Sequence, residues 1–145
     1  MKARRRAWRN RVAALPLAGC RILILEDEYL IAMDVEQLCR DHGAEDAILI
    51  GDLDALEAGF AGRRFDVAVI DAVLNGRSTL DFARQLRKRN IPFVFATGYD
   101  DAAERFMDFP GVPIVGKPYG GRELIDAIAS VVGRDTSQAT LEPNT

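Results

Sequence analysis

One histidine and two cysteines in 145 residues leave little room for transition-metal or thiol chemistry. Cys20 and Cys39 form no CxxC pair, and His42 belongs to no cluster with metal-ligand spacing. This excludes a zinc-finger framework and a disulfide scaffold, and it points to a reducing compartment such as the cytoplasm. Cys39 falls within an apolar helical pattern and reads as a small buried hydrophobe. His42, just before Gly43, reads as an ordinary polar residue at a helix end. No apolar run approaches the ~20 residues of a helical membrane span. The basic start, the apolar Val12 to Leu17 and then Cys20 imitate a lipoprotein signal. However, the apolar part is short, Pro16 interrupts it, and a strand begins directly after Cys20.

Acids are absent from residues 1–20, which hold Lys2, Arg4, Arg5, Arg6, Arg9 and Arg11. The full chain has 19 basic and 22 acidic residues, so residues 21–145 carry 13 basic against 22 acidic, a net charge of −9. An acidic body excludes a broad nucleic-acid-binding face, which needs basic side chains against phosphate. The basic stretch reads as a solvated chain end; its other reading is a contact with anionic lipid or nucleic acid.

What is present is an alternation of short apolar runs with amphipathic segments. Strands are predicted at Arg21–Leu25, Ala47–Ile50, Phe65–Ile70, Ile91–Ala96 and Val112–Val115, the last one at a sheet edge because of Pro113. Helices are predicted at Leu30–Asp41, Leu53–Phe60, Thr79–Arg89 and Arg122–Val132, with a loop at Leu74–Ser78 around Asn75-Gly76. Asp100–Met107 is only weakly helical. The segment from Gly98 to Pro110 has little apolar pattern, which makes it the expected moving part. The expected organisation is a basic extension over residues 1–20, one domain over 21–133, and a disordered tail over 134–145.

Strands alternating with helices imply an α/β fold: a doubly wound, five-stranded parallel sheet covered on both faces, with a short or irregular fourth helix. Ligands of such sheets bind at the carboxyl ends of the strands, where the strand order reverses. Those ends carry Glu26 and Asp27, Asp71, Thr97 and Lys117. Taken singly, each has an ordinary reading as a cap or turn residue. Taken together they carry chemistry. Three carboxylates repel unless a hard cation such as Mg²⁺ sits among them. A carboxylate is also a nucleophile towards phosphorus, and an ammonium and a hydroxyl suit the transferred phosphoryl group.

The order Leu-Glu-Asp-Glu, Val-Ile-Asp-Ala-Val-Leu-Asn-Gly, Phe-Ala-Thr-Gly-Tyr and Gly-Lys-Pro-Tyr resembles the receiver domain of bacterial two-component response regulators, over residues 21–133. The resemblance implies Asp71 as phosphoacceptor and Mg²⁺ held by Glu26, Asp27, Asp71 and the Val73 backbone carbonyl. It makes Thr97 the switch hydroxyl and Lys117 the phosphate-pairing amine, with a cis peptide before Pro118. It implies a histidine kinase or histidine phosphotransfer protein as donor, a downstream protein partner and a possible homodimer. The chain departs from the common pattern at Glu26, where Asp is more usual, and at Asn75, where proline is commoner. Ile114 occupies the position of the usual switch aromatic. Phe95–Tyr99 is similar to the signature of an alphaproteobacterial receiver subgroup, one residue short.

Residues 134–145 have no room for an output module, so the expected output is a protein–protein contact. The alternatives are a Mg²⁺-dependent phosphohydrolase with an aspartyl nucleophile and a phosphorylation-independent interaction module. The hydrolase would want a second acid two residues past the nucleophile, and Val73 stands there.

Overall fold

The computed structural model describes residues 15–60, 64–98 and 103–133. The expectations placed on residues 1–14, on 99–102 and on the tail from 134 lie outside the described residues. In chain order the elements are β1 (Arg21–Leu25), α1 (Tyr29–Asp41), β2 (Asp46–Ile50), α2 (Leu53–Phe60) and β3 (Val67–Asp71). A hairpin of β4 (Val73–Leu74) and β5 (Arg77–Ser78) follows, then α3 (Leu80–Lys88) and β6 (Phe93–Thr97). A 3₁₀ turn (Ala103–Phe106), β7 (Ile114–Gly116) and α4 (Gly121–Val131) complete the chain.

The five long strands form one parallel sheet in the order β2-β1-β3-β6-β7. The fold class read from the sequence is the one observed, and among the described residues the segment expected to hold an irregular fourth helix carries one 3₁₀ turn. Strand order reverses between β1 and β3, which fixes the crevice where a ligand would bind.

Both sheet faces are covered, and side chains of each strand alternate between them. Ile22, Ile24, Val67, Val69, Val94 and Ala96 pack under α1 and α4 with Val35, Leu124 and Ile128. Leu23, Leu25, Ala68, Ile70, Phe93 and Phe95 pack on the other face with Phe82 and Leu86 of α3. β7 is an edge strand, and Pro113, which has no N–H to give, precedes it while its carbonyl accepts from Phe95 N at 2.9 Å.

Three expectations need correction. The packed body reaches back beyond Arg21: Leu17 is fully buried and its N–H donates to the His42 carbonyl at 2.8 Å, and Cys20 lies in the same core. That turn crosses so near Gly43 that a Cβ there would lie 2.9 Å from Ala18 N, and Gly43 also has φ +104°. Glycine is needed at this helix end on both counts. Next, the Leu74–Ser78 loop contains the β4–β5 hairpin. Asn75 (φ 50°) and Gly76 (φ 78°) are both left-handed, as a two-residue type I′ turn requires. Finally, the Gly98–Pro110 segment is not poorly packed throughout. Phe106 and Phe109 are buried against Phe93 and Phe95, with ring centroids 4.8 to 6.0 Å apart.

Candidate functional site

The carboxyl ends of β1, β3 and β6 and the exit of β7 deliver the residues singled out from the sequence. Glu26 directly follows β1, where its N–H donates to the Ile50 carbonyl at 3.1 Å and so continues the ladder by one residue. Asp71 is the last residue of β3, and Thr97 the last of β6. Lys117 follows β7, held by its N–H on the Thr97 carbonyl at 2.8 Å, and the Lys117–Pro118 peptide is cis. Glu26, Asp71, Thr97 and Lys117 are thus placed by the sheet's own backbone pairing.

The side chains of Glu26, Asp71 and Lys117 meet. Lys117 Nζ donates to Glu26 Oε2 at 2.6 Å and to Asp71 Oδ2 at 2.8 Å. Glu26 (4% exposed), Asp71 (8%) and Thr97 (6%) are the site residues held in the interior, whereas Asp27 is exposed. One carboxylate oxygen from each of Glu26, Asp27 and Asp71 can be chosen so that all lie within 4.8 Å of one another. Backbone amides hold the other oxygens: Glu28 N–H donates to Glu26 Oε1 at 3.2 Å and Val73 N–H to Asp71 Oδ1 at 3.2 Å. Thr97 Oγ1 donates to the Gly98 carbonyl at 3.2 Å. Ile114 is exposed on the edge strand, so no aromatic ring stands at that position.

Electrostatics follow from burial and from this pairing. Burial pushes the Glu26 carboxyl above its ordinary 4.5, and the Asp71 charge adds to this, while Lys117 opposes both. Burial draws the Lys117 ammonium down, but its hydrogen bonds to Asp71 and Glu26 and the Asp71 charge outweigh that and raise it above 10.5. Burial also lifts the nearby Tyr119 phenol above its ordinary value.

Two residues to which the sequence reading gave no site role help build the site. Thr79, fully buried, donates from Oγ1 to the Asp71 backbone carbonyl at 2.6 Å and ties the start of α3 to the end of β3. Asn75 donates its backbone N–H to Asp27 Oδ2 at 3.0 Å and its Nδ2 to the Gly51 carbonyl at 3.0 Å. The Asn-Gly dipeptide was a readable hairpin signal. Its two-residue strands are too short to show a period.

Comparison with known proteins decides the family. The response regulator receiver domain profile matches residues 22–129, most of the chain. The chain belongs to the response regulator receiver domain family. Among curated relatives, this receiver is 34% identical over 116 residues to the sensory transduction protein RegX3 of Mycolicibacterium smegmatis, covering 78% of this chain and 50% of the relative. It is 32% identical over 126 residues to the transcriptional regulatory protein PdtaR of Mycobacterium tuberculosis, covering 84% and 61%. The chain therefore spans about half the length of the RegX3 relatives it matches. Among solved structures, SdrG of Sphingomonas melonis Fr1 superposes with a TM-score of 0.63 at 32% identity, covering 79% of this chain and 97% of that one. The receiver is thus a signalling domain of the two-component type, and its acidic cluster stands where the sheet topology puts a ligand. No helix among the described residues is long and apolar enough to cross a membrane.

Proposed function

We propose that this receiver accepts a phosphoryl group on Asp71 from a histidine kinase or a histidine phosphotransfer protein, and signals through contact with a downstream protein in the cytoplasm. The observation that carries this reading is the pairing of the Lys117 ammonium with Glu26 and Asp71, with an Asp27 carboxylate oxygen within 4.8 Å of theirs, at the switch point of the sheet. An Asp71 carboxylate oxygen attacks phosphorus, the phosphorus–nitrogen bond of the donor histidine breaks, and its electron pair leaves with the imidazole. Lys117 Nζ, already on Asp71 Oδ2, pairs with the charge brought by the phosphoryl oxygens. The Thr97 hydroxyl, at the end of the neighbouring strand, turns from the Gly98 carbonyl to the phosphoryl oxygen.

The donor set fits a hard divalent cation, since it consists of carboxylate oxygens that repel one another when unpaired. Glu26, Asp27, Asp71 and the Val73 carbonyl would hold Mg²⁺, which when bound neutralises charge on the phosphoryl group. The only reaction in this reading is the domain's own phosphorylation and dephosphorylation. A phosphohydrolase acting on other substrates is disfavoured because Val73 supplies no acid or base two residues past Asp71.

The test is labelling by a small acyl-phosphate donor with Mg²⁺. Wild type should take up one acid-stable, hydroxylamine-labile phosphoryl group, and Asp71→Asn none. Full labelling of Asp71→Asn would place the acceptor elsewhere, and multiple turnover of a generic phosphoester would restore the hydrolase.

A further inference from the structure

Asp27 is the exposed member of the acidic cluster, and a free aspartate on a loop would lose rotamer freedom on binding an ion. In this chain the β4–β5 hairpin removes that freedom in advance. The Asn75 N–H sits 3.0 Å from Asp27 Oδ2, and the turn is braced twice: Asn75 Nδ2 holds the Gly51 carbonyl at 3.0 Å and Arg77 Nη1 holds Asp54 Oδ1 at 3.2 Å. Asn75 reaches this position only at φ 50°, a left-handed conformation that Asn tolerates better than most side chains.

We propose that Asn75 is a positioning residue for the cation site. Its backbone N–H occupies one oxygen of Asp27 and so presents the other to a divalent ion, while its side chain anchors the hairpin to the end of β2. This rests on the metal reading above and deepens it, because loss of a partner that orients a ligating group typically costs about 10- to 100-fold in metal affinity.

Mn²⁺, which shares the oxygen preference of Mg²⁺, is the probe, followed by electron paramagnetic resonance. Asn75→Pro removes the N–H and cannot take φ 50°. It should weaken Mn²⁺ binding about 10-fold. Asn75→Gly keeps the N–H and the left-handed turn and loses only the anchor on the Gly51 carbonyl, so it should weaken binding less than proline does. If Asn75 acts through Asp27, proline adds no further loss in an Asp27→Ala background. Three results would overturn the proposal: wild-type affinity in Asn75→Pro, an equal loss in Asn75→Gly, or a full additional loss on top of Asp27→Ala. Thermal unfolding in chelator reports whether each variant folds. Should the proline variant not fold, amide exchange at Asn75 reads the same bond: Asp27→Ala must speed it, and unchanged protection sinks the assignment. Absence of Mn²⁺ binding by wild type is a separate result, which defeats the metal reading itself.

Discussion

Lys117 and Asp71 meet at 2.8 Å, Nζ to Oδ2, and the same ammonium lies 2.6 Å from Glu26 Oε2. One ammonium therefore faces two buried carboxylates. The arrangement stores a conflict: a divalent ion among Glu26, Asp27 and Asp71 would lie near that ammonium and repel it.

Replacing Lys117 separates the two roles. Lys117→Met leaves Glu26 and Asp71 buried without a countercharge, and breaking such a pair is strongly destabilising. Because Lys117 keeps some contact with solvent, and a carboxyl can take up a proton instead, we expect a loss of about 2 kcal/mol in chelator at pH 7. The loss should shrink towards pH 5, and saturating Mg²⁺ should recover more stability in the variant than in wild type. Denaturant titrations in chelator and in Mg²⁺ check this. An equal gain from Mg²⁺ in both proteins would show that the ammonium and the ion do not compete.

Much of this was legible in the sequence, for a physical reason. Strands buried on both faces read as short apolar runs, and Glu26 and Asp71 stand out because each ends such a run with a charge, while Lys117 stands just past the short edge strand. Helix boundaries came out within about a residue, since the apolar stripe and Gly43 mark them. The place of Leu17 in the core was missed because basic residues upstream and Pro16 hide one apolar side chain in a turn. Phe106 and Phe109 were missed because a 3₁₀ turn followed by an irregular stretch has no helical period to reveal that they face inward. The contacts of Asn75 join residues remote in sequence, and the Thr79 contact spans the hairpin, so no local pattern announces them.

Thr79 gives a second prediction. Its hydroxyl is fully buried on the Asp71 carbonyl at 2.6 Å. Thr79→Val keeps the shape and leaves that acceptor unpaired, at an expected cost of about 1–3 kcal/mol. Since the bond fixes the backbone of Asp71, the proposed phosphoacceptor, phosphorylation by the small donor should slow as well. Urea unfolding and labelling rates test the two effects, and an unchanged rate would confine Thr79 to stability.

Cys39 predicts a pH dependence away from the site. Burial pushes its thiol from 9.0 up to about 12, and the neighbouring Cys20 adds to the shift. A folded value above the unfolded one means the unfolded chain ionises first. This contribution to stability is therefore fully present below about pH 9 and is lost as pH rises towards 12. Cys39→Ala should decline less steeply than wild type between those values, although it is less stable at neutral pH. Parallel stability curves for the two proteins would refute a buried, neutral thiol.

The aromatic cluster beneath the 3₁₀ turn anchors Phe106 and Phe109 to the sheet. Phe109 is 2% exposed, edge-on to Phe93 and Phe95, with the Arg84 and Arg87 guanidinium carbons 5.7 and 5.0 Å from its ring centre. Arg87 also donates to the Asp108 carbonyl at 2.6 Å, so α3 clamps the segment from its far side. Phe109→Ala should cost about 3–5 kcal/mol, as for other buried aromatic truncations. Arg84→Ala, which loses only exposed ion pairs and one ring contact, should cost about 1 kcal/mol or less. In wild type the amides of Phe109 and Val112, bonded to the Phe106 and Phe109 carbonyls, should exchange slowly with and without a beryllofluoride phosphate mimic. Any change caused by the mimic should then fall before residue 106. Loss of protection at Phe109 on adding the mimic would show that the anchored half of the segment moves after all.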